Sequence, residues 1–254
     1  MNDIQDLSSG PVGYVLVPRG TSLGRDKAVM RFAERLSAAS GHQVRVGFLD
    51  SGIPTLVEAL DGYRESGVER VVLVPLATPA DPNLARWARL VAADWSAHSG
   101  TPLRLQITAL TSDEVIANAL TEVMEAPLQE IAPAAGAISD PDWSRIPSFR
   151  HHVLVCRGPR CSARGAAANA LALNRALEDR GLGDDQVLVT RTGCLYPCNR
   201  GPMVVVHPDD SWYGAVTPER IERIVAEHLD GGEAISELTI ARGDAGIAVP
   251  ELDQ

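Results

Sequence analysis

Tyr14-Val-Leu-Val-Pro-Arg-Gly-Thr-Ser22 is an apolar run broken at Pro18 and Gly20, and behind it Ala28, Phe32, Ala33 and Leu36 recur at helical spacing as far as Gly41. Such a run, followed by a turn and an amphipathic stretch, reads as strand, loop, helix. The order then repeats. Residues 43–49 read as a strand, 54–66 as a helix opening near Pro54, 68–76 as a buried strand, 84–99 as a helix, 103–110 as a fourth strand and 113–124 as a last helix. Strands alternating with helices predict an α/β fold with a doubly wound parallel sheet covered on both faces. Ligands of such sheets lie beyond the carboxyl ends of the strands. There the chain carries Arg19, Thr21 and Ser22, then Asp50 and Ser51, then Thr78, Asp81 and Asn83. A binding site is one reading, with Arg19, Ser22, Asp50 and Asn83 as its candidate substrate-binding residues. The plainer reading makes Ser22 a helix cap, Asp50 and Asp81 turn openers and Arg19 a solvated charge.

All four cysteines fall late, as Cys156-Arg-Gly-Pro-Arg-Cys161 and Cys194-Leu-Tyr-Pro-Cys198, with none in the first 155 residues. Two close pairs brought together by a fold offer four thiolates around a point, which is what an iron-sulfur cluster or a tetrahedral zinc ion requires. Zinc is the rival metal, although zinc ribbons favour cysteines separated by two residues and both pairs here are wider. Disulfides are the other alternative. Against them, residues 1–10 are acidic and polar rather than signal-like, and no apolar run approaches the roughly 18 residues that span a bilayer. A cytoplasmic protein with reduced thiols is expected.

With 254 residues the chain has room for two ordinary domains. Between 128 and 150 the periodicities lapse into a Pro, Ala and Asp-rich stretch of linker composition, in which Trp143 is available to pack on a domain surface. The layout expected is a tail at 1–11, a domain at 12–127, a linker at 128–150, a second domain at 151–240 and a tail at 241–254. A net charge of -10 and a pI near 5.1 argue against a nucleic-acid partner, whose affinity rests on clustered Lys and Arg. The same acidity steers a small redox protein toward a basic face of its partner.

In the second half, residues 152–156 read as a strand, 161–180 as a helix, 186–191 and 202–207 as further strands, and Asp209-Asp210 as the turn into Ser211-Trp212-Tyr213. Thr217 as cap, Pro218 at the first helical position and acidic Glu219 and Glu222 open a final helix ending near Asp230. Arg157, Arg160, Arg191 and Arg200 flank the cysteines, either offsetting a cluster's negative charge or lying solvated at the surface. His207 reads as a strand-end polar residue, and His151 and His152 as surface or linker.

Two resemblances join these readings. Tyr-Val-Leu-Val-Pro-Arg-Gly-Thr-Ser, Val-Gly-Phe-Leu-Asp-Ser-Gly-Ile-Pro-Thr-Leu-Val-Glu-Ala-Leu and Val-Glu-Arg-Val-Val-Leu-Val-Pro-Leu, over residues 12–127, resemble the class II chelatases that insert cobalt or iron into sirohydrochlorin. That family places metal-binding histidines in the first loop and after the Pro-Leu strand, where this chain has Arg19 and, by spacing, Asn83. A guanidinium neither binds a cation nor accepts a proton, and a carboxamide is a poor base. The resemblance therefore implies a chelatase-like pocket for a tetrapyrrole such as sirohydrochlorin, with Arg19 suited to one of its carboxylates, and a homodimer.

From about 152 to 238, the cysteine spacing with Thr-Gly-Cys-Leu-x-x-Cys, Arg-Gly-Pro-x-Val-Val-Val and Trp-Tyr-Gly resembles the thioredoxin-like 2Fe-2S ferredoxins. It implies one 2Fe-2S cluster on Cys156, Cys161, Cys194 and Cys198, and a redox partner protein. Two functions follow as expectations: an electron carrier fused to a tetrapyrrole-binding domain, or an active sirohydrochlorin chelatase with a regulatory or structural cluster.

Overall fold

In the computed structural model, residues 11–20, 26–77, 80–108, 113–124 and 146–241 are described; Ser22, Thr78, the linker residues 128–145 and nearly all of both tails lie outside them. Contacts divide the chain into two units, Met1–Ser112 with Arg157–Ala167 and Asp113–Cys156 with Ala168–Gln254.

The first unit runs β1 (Val12–Val17), α1 (Asp26–Ser40), β2 (Gln43–Val46), α2 (Leu56–Arg64), β3 (Arg70–Pro75), α3 (Pro82–Ser99) and β4 (Arg104–Ile107). The strands form one sheet in the order β2-β1-β3-β4, every pair parallel. Alternation along β1 sorts its side chains to two faces. Val15 and Val17 meet Leu56 and Leu60 of α2 and Leu84, Ala88 and Val91 of α3, whereas Leu16 turns the other way onto Val46, Phe48 and Ala33 of α1. The sheet is thus covered on both sides, as a doubly wound unit requires.

Several boundaries are shorter than their apolar runs. The strand expected over 43–49 stops at Val46, and Phe48 continues only as an isolated bridge to Thr55. The helix expected from Pro54 begins at Leu56, because Thr55 is extended and acts as its cap: its hydroxyl accepts from Glu58 N at 3.3 Å while the Glu58 carboxylate accepts from Thr55 N at 2.6 Å. This reciprocal box satisfies two otherwise orphaned donors. Replacing Thr55 by Ala should cost about 1 kcal/mol, read as a lower denaturant midpoint with an unchanged slope.

Tyr63 of α2 is fully buried under β1, and its hydroxyl reaches the carbonyls of Tyr14 and Gln43 at 2.9 and 2.8 Å. The Arg45 guanidinium lies over the ring, 4.6 Å from its centroid. Gly13 provides the space for that ring, since a Cβ there would stand 2.3 Å from Tyr63 Cε1. Burial pushes the phenol pKa up, so the hydroxyl remains a donor.

The second unit contains α4 (Asp113–Met124), β5 (His151–Cys156), α6 (Ala166–Arg180) from Ala168 onward, β6 (Val187–Thr192), β7 (Val204–His207), β8 (Ser211–Tyr213), α7 (Pro218–Arg223) and β9 (Thr239–Ala241). Between β5 and α6 the short α5 (Pro159–Ala163) falls with the first unit. The single helix expected over 161–180 is therefore two, broken at Gly165, whose φ of +93° lies in the region open to glycine. The sheet order is β6-β5-β7-β8-β9, with β5 and β6 parallel and the remaining pairs antiparallel. Val153 and Val155 of β5 and Val204 and Val206 of β7 face Leu173 and Leu177 of α6 and Ile221, Ile224, Val225 and Leu229 of the last helix. That helix starts from the Thr217 cap and changes to π-helical turns over Ile224–Asp230. No described helix is long and apolar enough to cross a membrane.

Candidate metal centre

The register of the second sheet decides where the cysteines lie. Cys156 is the last residue of β5, paired in parallel with Thr192, the last of β6, so both strands deliver their ends to the same edge. Two residues beyond Thr192 comes Cys194, and Cys156 Sγ is 3.4 Å from the Gly193 carbonyl oxygen. The return strand closes the group from the other side, as Met203 O accepts the Cys156 N–H at 3.1 Å. Between them, Cys194 and Cys198 bring their sulfurs to 3.1 Å across a loop that ends in a 3-10 turn, Cys198–Arg200. That loop is pinned from behind by Ala215 N on Arg200 O and Val216 N on Pro202 O.

None of the four thiols is in a disulfide. Two thiolates sharing one ion through bonds of about 2.3 Å stand about 3.8 Å apart in tetrahedral geometry, so the Cys194 and Cys198 sulfurs need to part by less than an ångström. The donor set is all sulfur, which suits iron-sulfur chemistry or zinc. Cys161 lies on α5 and is buried, its carbonyl accepting from Arg164 N. Cys194 is exposed, and beside it Tyr196 is 71% exposed.

Of the flanking arginines, Arg157 is not a solvated charge: it is 1% exposed, with Nη2 donating to the Gly52 carbonyl at 3.4 Å. Its own carbonyl accepts from Ser51 N at 3.2 Å and from the Ser162 hydroxyl at 2.9 Å. Arg160 lies over the Trp87 ring at 5.4 Å, while Arg191 is exposed.

At the strand ends of the first unit, Arg19 and Asp50 meet. Arg19 Nη1 is 2.7 Å from Asp50 Oδ2, and its Nε is 3.5 Å from Asp81 Oδ2. Gly20 fastens the two loops by donating to Asp50 O at 3.0 Å, where a Cβ would stand 2.1 Å from Gly52 N. Asp81 caps α3 by accepting from Asn83 N at 2.8 Å, and Asn83 itself is exposed on the first helical turn. Ser22 lies outside the described residues.

The histidines correct the sequence reading. His151 is buried at 6% exposure, not surface or linker, because β5 begins at this residue and alternation turns its ring to the same face as Val153 and Val155. Its two ring nitrogens are buried and make no well-formed hydrogen bond, the His207 backbone being a weak partner. Burial, and next the proximity of His228, push its pKa below the ordinary imidazole value. His152 is half-buried, 2.7 Å from the Thr190 hydroxyl, and His207 pairs with Asp210. His228, fully buried, stands between the Tyr213 hydroxyl at 2.7 Å from Nδ1 and the Asp209 carboxylate at Nε2. A signal for it was in the sequence: Ile221, Ile224, Val225 and His228 fall on one helical stripe, so an imidazole sits among core positions.

Residues 114–229 match the family model for thioredoxin-like 2Fe-2S ferredoxins, and residues 13–77 match the CbiX model. A 2Fe-2S ferredoxin of Aquifex aeolicus is 37% identical over 100 residues, which cover 36% of this chain and 90% of that protein. A 2Fe-2S ferredoxin of Clostridium pasteurianum is 34% identical over 99 residues, covering 36% and 96%. Among solved structures, a CbiX protein of Marinobacter aquaeolei aligns with 45% of this chain and 95% of its own at 17% identity and a TM-score of 0.39.

Proposed function

Because the chain belongs through its second half to the thioredoxin-like 2Fe-2S ferredoxin family, we propose that it is a one-electron carrier whose cluster is held by Cys156, Cys161, Cys194 and Cys198. The observation that carries this reading is the pairing of Cys156 with Thr192, which puts the first cysteine beside the Cys194–Cys198 loop. The cluster supplies, when bound, a one-electron couple. The protein supplies the thiolates, the stiff loop that spaces them and an exposed edge at Cys194 and Tyr196 through which a redox partner approaches. The acidic surface favours a partner with a basic face. A cytoplasmic location, a homodimeric assembly and a domain division at 12–127, 128–150 and 151–240 belong to the same proposal.

For the CbiX-like half, the proposed role is to hold a polycarboxylate tetrapyrrole of the sirohydrochlorin type without inserting a metal. Arg19 stands where metal insertion calls for a ligand and base, and a guanidinium is neither. Asp50 and Asp81 engage Nη1 and Nε of its five N–H donors and fix the fork at the strand ends.

Anaerobic purification of the full chain tests both parts. Iron and sulfide in equal amounts, with visible absorption that bleaches on dithionite, are expected; a colourless protein carrying zinc would overturn the carrier. Sirohydrochlorin should change its spectrum on titration, with the affinity lowered at least tenfold by Arg19→Ala, the scale of one charge-assisted contact at about 1.5–3 kcal/mol. Turnover with Co(II) or Fe(II) would instead establish the chain as an active chelatase.

A further inference from the structure

Opposite the cysteine edge, where β5 begins, one donor atom each of His151, Asp209 and His228 lies within 4.8 Å of the other two. We propose that these three residues bind a divalent transition-metal ion of the zinc, cobalt(II) or iron(II) class, at a second centre separate from the four cysteines.

Three elements build the group: the start of β5, the turn between β7 and β8, and the π-helical end of the last helix. A hydrogen-bond chain from Tyr213 through His228 to Asp209 accounts for one imidazole without any ion. It leaves the other unexplained. His151 is more than nine-tenths buried, its ring nitrogens make no well-formed hydrogen bond and have only a weak donor contact to the His207 backbone, and its ring packs edge-on against that of His228 with centroids 5.5 Å apart. An ion between the two rings and the carboxylate uses a lone pair of His151 that has no other acceptor role, and its charge is offset by Asp209.

Two neutral imidazoles and a carboxylate form a donor set of intermediate softness, suited to zinc, cobalt(II) or iron(II) rather than to calcium or magnesium. Donors bound at about 2.0–2.2 Å around a tetrahedral ion stand about 3.4 Å apart, so the group closes by rotations of roughly an ångström. The outer partners are in place. The Tyr213 hydroxyl, which also receives the Ile235 N–H at 3.1 Å, has a second lone pair for the Nδ1 proton of His228, and that tautomer frees Nε2 for the ion. Asp209, with its side chain one-third exposed, opens the site to solvent as the entry path and leaves the remaining position to water.

The test uses the full chain with its cluster loaded, so that the thiolates are occupied, after dialysis against a chelator. Titration with zinc should show one equivalent taken up, with a shell of nitrogen and oxygen only in zinc-edge X-ray absorption. Asp209→Asn and His151→Gln should each weaken binding by at least the 10–100-fold that loss of an outer-shell partner causes, and Tyr213→Phe by about 10–100-fold with the three ligands intact. The unchanged visible spectrum of the cluster reports that each variant is folded, and either ligand variant suffices if the other fails to fold. No stoichiometric uptake, a sulfur shell, or equal uptake by wild type and both ligand variants would each overturn the site.

Discussion

Cys194→Ala is expected to strip the purified protein of iron and of its visible absorption while leaving the fold intact. Alanine offers no donor atom, so one iron would be left with an open position facing solvent. Loss of a ligand should weaken retention of the cluster at least 100-fold, about 2.7 kcal/mol, beyond what loss of an outer partner costs. The side chain is exposed and belongs to no part of the hydrophobic core, so removing it takes almost nothing from folding. Iron content, the visible spectrum and far-ultraviolet circular dichroism on one sample separate the two effects. Alanine is the decisive replacement, because a serine oxygen is itself able to ligate iron. Cys198→Ala should behave in the same way, and full iron content in either variant would remove that residue from the proposed ligand set.

Gly13→Ala is expected to damage the first unit out of proportion to its size. The added methyl would meet three atoms of the Tyr63 ring at 2.3–2.8 Å. The ring has nowhere to retreat, with its hydroxyl bound to two carbonyls of neighbouring strands and the Arg45 guanidinium over its face. Overpacking in a filled core costs about 1–3 kcal/mol, and losing the hydroxyl's hydrogen bonds as the ring shifts adds about 1 kcal/mol. Chemical denaturation should therefore show a loss of roughly 2–4 kcal/mol. Combining Gly13→Ala with Tyr63→Leu should cost less than the sum of the two single changes, since the shorter side chain vacates the contested space. Additive losses would mean that the clash is relieved elsewhere.

How far the fold was legible depended on whether one residue's periodicity could speak for it. The parallel sheet of the first unit followed from apolar runs alternating with helical stripes, and the Thr217 cap with Pro218 marked the last helix to the residue. Ends were harder to place, because apolar runs continue past the last ladder hydrogen bond: Phe48 and Leu49 are core residues although β2 has already ended. β9 was missed, being three half-buried residues whose partner β8 is distant in sequence. The cysteine pairs were evident from spacing, yet what brings Cys156 beside Cys194 is a strand register that no local pattern encodes. For the same reason the reading of His151 as surface or linker fails, and of the two readings of Arg157 the solvated one falls, since a polar or charged residue looks exposed until the fold closes over it. Arg19, in contrast, was identified as a key residue but not as one already shared by two aspartates from later loops.

Strand β5 holds His151 at its first position and Cys156 at its last. The five residue steps between them span about 16 Å, a distance at which a unit charge acts by about 1 kcal/mol through protein of effective dielectric about 20. Clamped by β6 on one flank and β7 on the other, it acts as a fixed ruler: occupation at the histidine end should move the midpoint potential at the thiolate end by no more than about 40 mV per unit of charge.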